Sequence, residues 1–524
     1  MRIPFRLFRK NTKLNTHLKG QEVLRAPDPQ QVDASRNTPI AETDLSEKQS
    51  SQVDSDPMGL GKKYNAEEVI CVERWYYADL HMTRGESKTC CLPPTRALTE
   101  EDFEKYGTDA FINTEYMIER RREKLMGIRH ADCRTCWRLE DAGVISKRRS
   151  CEASMEPEQF YTEYQNTRES KQPRKGLEGD WERLKNDLSD EALKVKHPKI
   201  LDLTLWNDCN QMCVYCSHQF SSLWEKDLLE REPNMSDERK QELILKAPPS
   251  YEKYFWLWFE EIKDGLEQIL FIGGEPLIQD RFYDMLDRVL ASIKTANRTE
   301  PMDIHITSNF NVPKKYMDRF IDLLDGLSAY CTIRVEASVE AYGKRAEYIR
   351  HGLKWNVLDQ NARRMAEYAG KNPRVKFSFH TCMNNLCVSS FPEFVDYVAL
   401  LQASYDVPID LLQNTVVEPA IFTPLNLTED FSTYLLKAAT KIDNKLRFHN
   451  ENEKIGYAQF IRTMGMALRN GQGDKTSRKA FHKWINDFDG RRGTNFLAVF
   501  PEYKGFYDIC GSVAAEALAH NASI

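Results

Sequence analysis

Cys209, Cys213 and Cys216 fall within eight residues, in a loop that reads Asn207-Asp-Cys-Asn-Gln-Met-Cys-Val-Tyr-Cys-Ser-His218. The loop follows an apolar strand candidate at Ile200 to Trp206. Three thiolates at this spacing can hold three irons of a four-iron, four-sulfur cube and leave the fourth iron open to a non-protein ligand. An open iron implies chemistry rather than scaffolding. The competing reading adds His218, because a Cys3His set is an ordinary structural zinc site.

A second motif bears on that choice. Gln268 to Ile272 is a short apolar run that reads as a buried strand, and it continues directly into Gly273-Gly274-Glu275-Pro276. Two glycines remove both side chains, so backbone groups can approach a ligand closely. Glu275 could then accept from a ligand ammonium, while Pro276 stiffens the turn.

The Cys-x3-Cys-x2-Cys triad with Tyr215 before its last cysteine, followed by Gly-Gly-Glu-Pro after the next strand, resembles the radical S-adenosylmethionine (radical SAM) superfamily. The resemblance implies that Cys209, Cys213 and Cys216 are the catalytic metal ligands of a [4Fe-4S] cluster. It also implies that Tyr215, Gly273, Gly274, Glu275 and Pro276 help bind the cofactor S-adenosyl-L-methionine. In chain order it continues to Ser308 and Asn309 at the end of a third strand, then to Ser338 and Arg350. Here Ser338-Val-Glu-Ala341 replaces the Ser-x-Asp-Gly of relatives, and for Arg345 and Arg350 a solvated helix face stays open. The activity implied is reductive cleavage of S-adenosylmethionine to methionine and a 5′-deoxyadenosyl radical that abstracts hydrogen from an unactivated carbon. An electron donor such as flavodoxin or ferredoxin is implied as a partner. The substrate class extends to a peptide, a carbohydrate or another small molecule, and the reaction outcome is not written in these residues.

Upstream, Cys71-x13-Gly85-x4-Cys90 and Cys133-x2-Cys136 form two separated pairs. The first half resembles the opening of twitch and SPASM modules, which implies an auxiliary iron-sulfur cluster on Cys71, Cys90, Cys133 and Cys136, here placed before the barrel. Two cysteine pairs are equally the grammar of structural zinc. Whether Cys90 or its neighbour Cys91 ligates is open, and Cys151 is spare.

The elements that must position these residues alternate. Strand candidates at Met302 to Thr307, Cys331 to Val339, Val375 to Thr381 and Val407 to Leu412 are separated by helical periodicity at Arg281 to Lys294, Tyr316 to Leu324, Val357 to Ala369 and Glu393 to Gln402. Such alternation predicts an α/β fold with right-handed parallel crossovers. With the family resemblance it becomes a partial (β/α)6 TIM-like barrel with functional residues at the carboxyl ends of the strands. The expected organisation is a disordered basic and polar segment over 1–62, a cysteine-rich auxiliary module over 63–155, a charged linker over 156–198 with a helix at Gly179 to Leu193, the barrel over 199–420, and a mainly helical extension over 421–524. Tyr254 to Phe259 reads as a core helix, with a lid over the barrel mouth as the functional option.

Bulk properties set bounds. Of 524 residues, 73 are basic and 79 acidic, a net charge of −6 that excludes a nucleic-acid-coating protein and makes nucleic acid an unexpected partner. Arg120-Arg121-Arg122 on a helix from Asn113 to Met126 could contact phosphate or an acidic substrate, with a solvated helix face interleaved with Glu115, Glu119 and Glu123 as the ordinary alternative. No apolar run approaches a membrane span, and thirteen cysteines without a secretory signal point to a reducing, cytoplasmic setting. Cys382 and Cys387 read as buried thiols, with hydrogen-atom donation to a substrate radical as the chemical alternative. The competing class for the whole chain is a non-catalytic zinc-binding interaction or nucleic-acid-binding protein.

Overall fold

The computed structural model describes residues 59–71, 73–141, 146–152, 187–244, 246–295, 301–416, 419–471 and 477–512. The expectation of disorder over 1–62 and most of the linker over 156–198 therefore lie outside the described residues, as does the side chain of Cys151. Of the helix expected at Gly179 to Leu193, the described part is Asp190–Leu193.

Eleven strands occur among the described residues: β1 (Tyr77–His81), β2 (Glu86–Lys88), β3 (Arg96–Ala97), β4 (Ile200–Thr204), β5 (Met212–Cys213), β6 (Gln268–Ile272), β7 (Met302–Ser308), β8 (Cys331–Ser338), β9 (Arg350–His351), β10 (Val375–Met383) and β11 (Asp410–Thr415). Nine of them make one sheet in the order β11-β10-β8-β7-β6-β4-β1-β2-β3, and β5 pairs with β9. From β4 to β11 every neighbouring pair is parallel. Each crossover moves one strand in the same direction, so the sheet is singly wound and has no switch point of the doubly wound kind.

All six strands read from the sequence form. The last is displaced: β11 starts at Asp410 rather than Val407, because Val407 and Ile409 are buried ahead of it and the Ile409 N–H bonds the Arg447 carbonyl at 3.2 Å. The crossover helices pack back onto the sheet as expected, with Lys314–Ser328 against β8 and Trp355–Lys371 against β10. Beyond residue 420 the extension is helical, at Ser432–Lys445, Glu451–Arg469 and Arg478–Arg492. The aromatic helix Tyr251–Ile262 buries Phe255, Trp258 and Phe259, which makes it core. No helix among the described residues is long and apolar enough to cross a membrane.

The boundary expected between the cysteine-rich module and the sheet does not separate two cores. β1, from within 63–155, pairs in parallel with β4 over Tyr77 to His81, and one hydrophobic cluster runs from Trp75 and Leu80 through Leu203 to Phe377. Tyr77 donates to Asp202 Oδ2 at 2.6 Å across that seam. The pentapeptide is too short, and too polar at Asp79 and His81, for its periodicity to declare a strand; pairing with β4 makes it one.

Alternation then sorts the faces. In β8, Ile333, Val335 and Ala337 join the helix-packed core, while Arg334 and Glu336 point the other way and are also buried. The same polar face carries Asp202, His305, His380 and Asp410. Glu336 accepts from Thr307 Oγ1 and His380 Nδ1, each at 3.0 Å, and lies 3.6 Å from His305 Nδ1. Burial pushes its carboxyl up, but the hydrogen bond and charge of His380, with His305 and Arg334, win and hold it down at about 2. Being depressed from its ordinary 4.5, it contributes stability fully present above that value and lost as pH falls toward the folded-state value. Glu336→Gln should therefore flatten the acid-unfolding profile between roughly pH 4.5 and pH 2 relative to wild type, measured by circular dichroism.

Candidate functional site at the strand ends

Three loops meet at the carboxyl ends of β4, β6 and β7. The Leu205 N–H bonds the Ile272 carbonyl at 2.7 Å, which extends the ladder by one residue past β4. Gly274 N–H then bonds the Trp206 carbonyl at 3.0 Å, and Glu275 N–H the Asp208 carbonyl at 2.7 Å. Gln279 Nε2 donates to the same two carbonyls, at 3.3 and 3.0 Å. The loop that carries the three thiols is thus fastened to the Gly-Gly-Glu-Pro loop through main chain.

This contact explains the two glycines. A Cβ on Gly274 would sit 2.3 Å from the Asp208 carbonyl oxygen, and Gly273 has φ +141°, a region few L residues enter. The sequence reading aimed them at a ligand; here they let the cysteine loop approach. Gly352 does the same from the far side, at φ +100° with Asn210 O 2.7 Å from a would-be Cβ.

Glu275 is fully buried and works inward. Its oxygens accept from Leu277 N at 3.0 Å, Ser308 Oγ at 2.7 Å and Asn309 N at 2.5 Å. Three donors leave about one of a carboxylate's four acceptor positions for anything else. Burial raises its carboxyl to about 7 against those hydrogen bonds. Ser308 and Asn309 are consequently tied to the Gly-Gly-Glu loop, and Asn309 Nδ2 reaches the cysteine loop at Asn210 Oδ1, 2.8 Å away. Pro276 opens the short helix that Glu275 caps.

The cysteine loop has a second anchor. Cys213 in β5 lies opposite Arg350 in β9, and Arg350 is buried. Its Nη2 and Nε contact Glu340 Oε2 at 2.6 and 3.2 Å, its Nη1 lies 3.8 Å from Cys213 Sγ, and Tyr215 OH donates to Glu340 Oε1 at 3.0 Å. The solvated-face reading therefore fails for Arg350. It holds better for Arg345, which pairs with Glu393 and Glu502 toward the surface. Glu340 itself, together with Asn210 and Asn311, is missed by sequence reasoning. Its signal was the acidic residue in Ser338-Val-Glu340, which looked like a departure and is the hub that holds Tyr215 and Arg350. Ser338 ends β8 two residues before it.

The three thiols are half-buried. Burial pushes Cys209 up to about 11 and Cys216 to about 12, and Cys213 well above its ordinary value. They need a cationic centre to ionise, so loading one would release protons. Among the described residues no three His, Cys, Asp or Glu side chains converge as one metal ion requires. Three thiols on one loop are a donor set able to take three corners of a cube. His218 is engaged elsewhere, with Nε2 3.1 Å from the Leu243 carbonyl.

The upstream cysteines also come together. Cys71, Cys90, Cys133 and Cys136 line one narrow cavity with Arg74 and Lys147. Cys90 rather than Cys91 faces it. Cys91 Sγ instead lies 3.2 Å from Lys147 Nζ. Arg74 is buried, with Nη2 3.4 Å from Cys133 Sγ, and burial of the Cys133 thiol is outweighed by Arg74 and Lys124, so its pKa falls. The nearby basic triplet is consumed internally. Arg121 is buried and donates to the Arg74 and Ile112 carbonyls, Arg122 pairs with Glu119 and Asp190, and Arg120 pairs with Glu123. Each arginine of the triplet thus has a carbonyl or carboxylate partner.

No protein-family model and no curated protein matches the chain. Among solved structures, SuiB of Streptococcus suis bound to its precursor peptide SuiA overlaps it at 14% identity, covering 72% of this chain and 71% of that chain, with a TM-score of 0.32. SuiB alone gives 14% identity, 71% and 70% coverage and a TM-score of 0.32. SuiB bound to S-adenosylmethionine gives 11% identity, the same coverages and a TM-score of 0.27.

Because the Gly274 contact is backbone to backbone, Gly274→Ala should dislodge the cysteine loop. Iron bound after anaerobic reconstitution should fall by up to half, while Gly490→Ala, where a Cβ meets open space, should leave it unchanged.

Proposed function

We propose that the chain is a radical S-adenosylmethionine enzyme, with Cys209, Cys213 and Cys216 holding a [4Fe-4S] cluster whose fourth iron is open. The observation that carries this reading is the main-chain fastening of the three-thiol loop to Gly-Gly-Glu-Pro at the ends of adjacent parallel strands. When bound, the cluster supplies the electron that cleaves the sulfonium of S-adenosylmethionine for hydrogen abstraction. The sheet is the wall of a partial barrel, and its polar face is the interior that receives substrate.

Each side chain then has a task. Glu340 orients Arg350 and Tyr215, so a buried positive charge stands beside Cys213 and favours its thiolate. Glu275 fixes the Ser308-Asn309 turn, and Asn309 in turn holds Asn210 in the cysteine loop. Asn210 also donates to the Asn311 carbonyl at 2.7 Å, closing the turn onto the loop. Trp224 Nε1 donates to the Cys213 carbonyl at 3.0 Å, and Arg492 from the helical extension lies over its ring, which keeps bulk water from that side of the loop.

Cys71, Cys90, Cys133 and Cys136 hold an auxiliary iron-sulfur cluster closed by four thiolates, with Arg74 and Lys147 offsetting its negative charge. A peptide or small-molecule substrate and a reduced flavodoxin or ferredoxin complete the system.

Serine at any one of Cys209, Cys213 or Cys216 should abolish 5′-deoxyadenosine formation from S-adenosylmethionine and dithionite, measured by chromatography; turnover within twofold of wild type in any of the three sinks the assignment. In the auxiliary site, Cys90→Ser should cut bound iron by about half, one cluster of two, whereas Cys91→Ser should retain it. Zinc in place of iron in both variants and in wild type would reassign that site.

A further inference from the structure

On the polar face of the sheet, side chains from adjacent strands stand in tiers. Arg334 and Asp410 make a lower tier, 3.7 Å apart. Above them, Glu336 of β8 lies between His305 of β7 and His380 of β10. One strand repeat further along β10, about 7 Å on, Cys382 lies within electrostatic reach of Tyr215, Cys216 and Arg350 of the cysteine loop. The middle tier is therefore one strand repeat from Cys382, on the same side of the sheet.

Hydrogen bonding sets the protonation pattern of this tier. The Gln268 amide nitrogen lies 3.0 Å from His305 Nε2, and an amide nitrogen only donates. His305 consequently accepts at Nε2 and carries its proton on Nδ1, toward Glu336. His380 places its own Nδ1 3.0 Å from Glu336 Oε2, an acceptor, so the proton sits on Nδ1. Nε2 of His380 then carries the free lone pair, and among the described residues it has no hydrogen-bond partner. The two histidines differ in that respect: His305 is buried with Gln268 on Nε2 and Glu336 3.6 Å from Nδ1, whereas His380 is partly exposed and has Nε2 to use.

We propose that His380, oriented by Glu336, is a general base that takes a proton from a hydroxyl or amine of the substrate. This rests on the enzyme reading above and adds to it a residue acting on the substrate rather than on the cofactor. In the step, the O–H or N–H bond breaks, the proton passes to His380 Nε2, and the electron pair stays on the substrate atom. The imidazolium so formed is stabilised by the Glu336 carboxylate 3.0 Å from Nδ1. Around it the face carries Asp202, bonded to Tyr77, and Asp410, paired with Arg334 and His449, together with Glu336 and Lys376.

The test uses the full-length protein and diethyl pyrocarbonate, which acylates an accessible neutral imidazole nitrogen, with peptide mapping by mass spectrometry. His380 should be modified at least several-fold faster than His305. Glu336→Gln should slow the modification of His380 several-fold, because no carboxylate then holds the proton on Nδ1 and the lone pair on Nε2. A His380 that stays unmodified in the folded protein, or one whose rate is unchanged in Glu336→Gln, overturns the proposal. Should Glu336→Gln not fold, the tautomer of wild-type His380, read by 15N imidazole spectra assigned with His380→Gln, decides: a proton on Nδ1 supports the base and a proton on Nε2 overturns it. Neither measurement requires S-adenosylmethionine or an assembled cluster. A failure here is thus separable from a failure of 5′-deoxyadenosine formation.

Discussion

The arrangement at the strand ends depends on one close approach, the main chain of Gly274 and Glu275 against the carbonyls of Trp206 and Asp208. Two N–H groups meet two carbonyls where no Cβ intervenes, so the loop bearing the thiols is held by groups that mutation of a side chain cannot remove. Everything else at the site is arranged around that contact. Glu275 turns its carboxylate to Ser308 and Asn309, Asn309 returns to Asn210, and Gly352 lets the β9 turn close over the same residue.

Electrostatics then divides the molecule into two regimes. At the three-thiol loop, burial dominates and keeps the thiols protonated until a cationic centre arrives, with Arg350 as the one buried countercharge and Glu340 already paired to it. At the upstream cavity, basic side chains outweigh burial for Cys133 and lower its pKa, while those of Cys90 and Cys136 are raised. The strand β1 joins the two regions through the sheet, and the Tyr77 to Asp202 hydrogen bond makes them parts of one body.

Much of this was legible in residue order. Helix and strand periodicities gave six of the seven parallel strands of the main sheet, because each of the six carries apolar residues long enough in register to be read without a partner. The cysteine spacings marked both thiol sets, and the pairing of Cys71 and Cys90 with Cys133 and Cys136 matches the cavity they line. β1 was not legible, since a five-residue strand with Asp79 and His81 declares itself only when β4 lies beside it. Nor was Glu340, whose role depends on two residues, Tyr215 and Arg350, that lie 125 and 10 positions away.

The amino-acid sequence by itself determined the donor chemistry, thiols at fixed spacing and glycines beside them, since reactive groups and backbone freedom are properties of residue types. Only the tertiary structure decided what each group faces. It directed the glycines to the cysteine loop, set Cys90 in the cavity lining with Cys91 beside it on Lys147, and left one nitrogen of His380 without a hydrogen-bond partner among the described residues. Contact partners are set by distance in space, and strand pairing brings together residues that chain order keeps far apart.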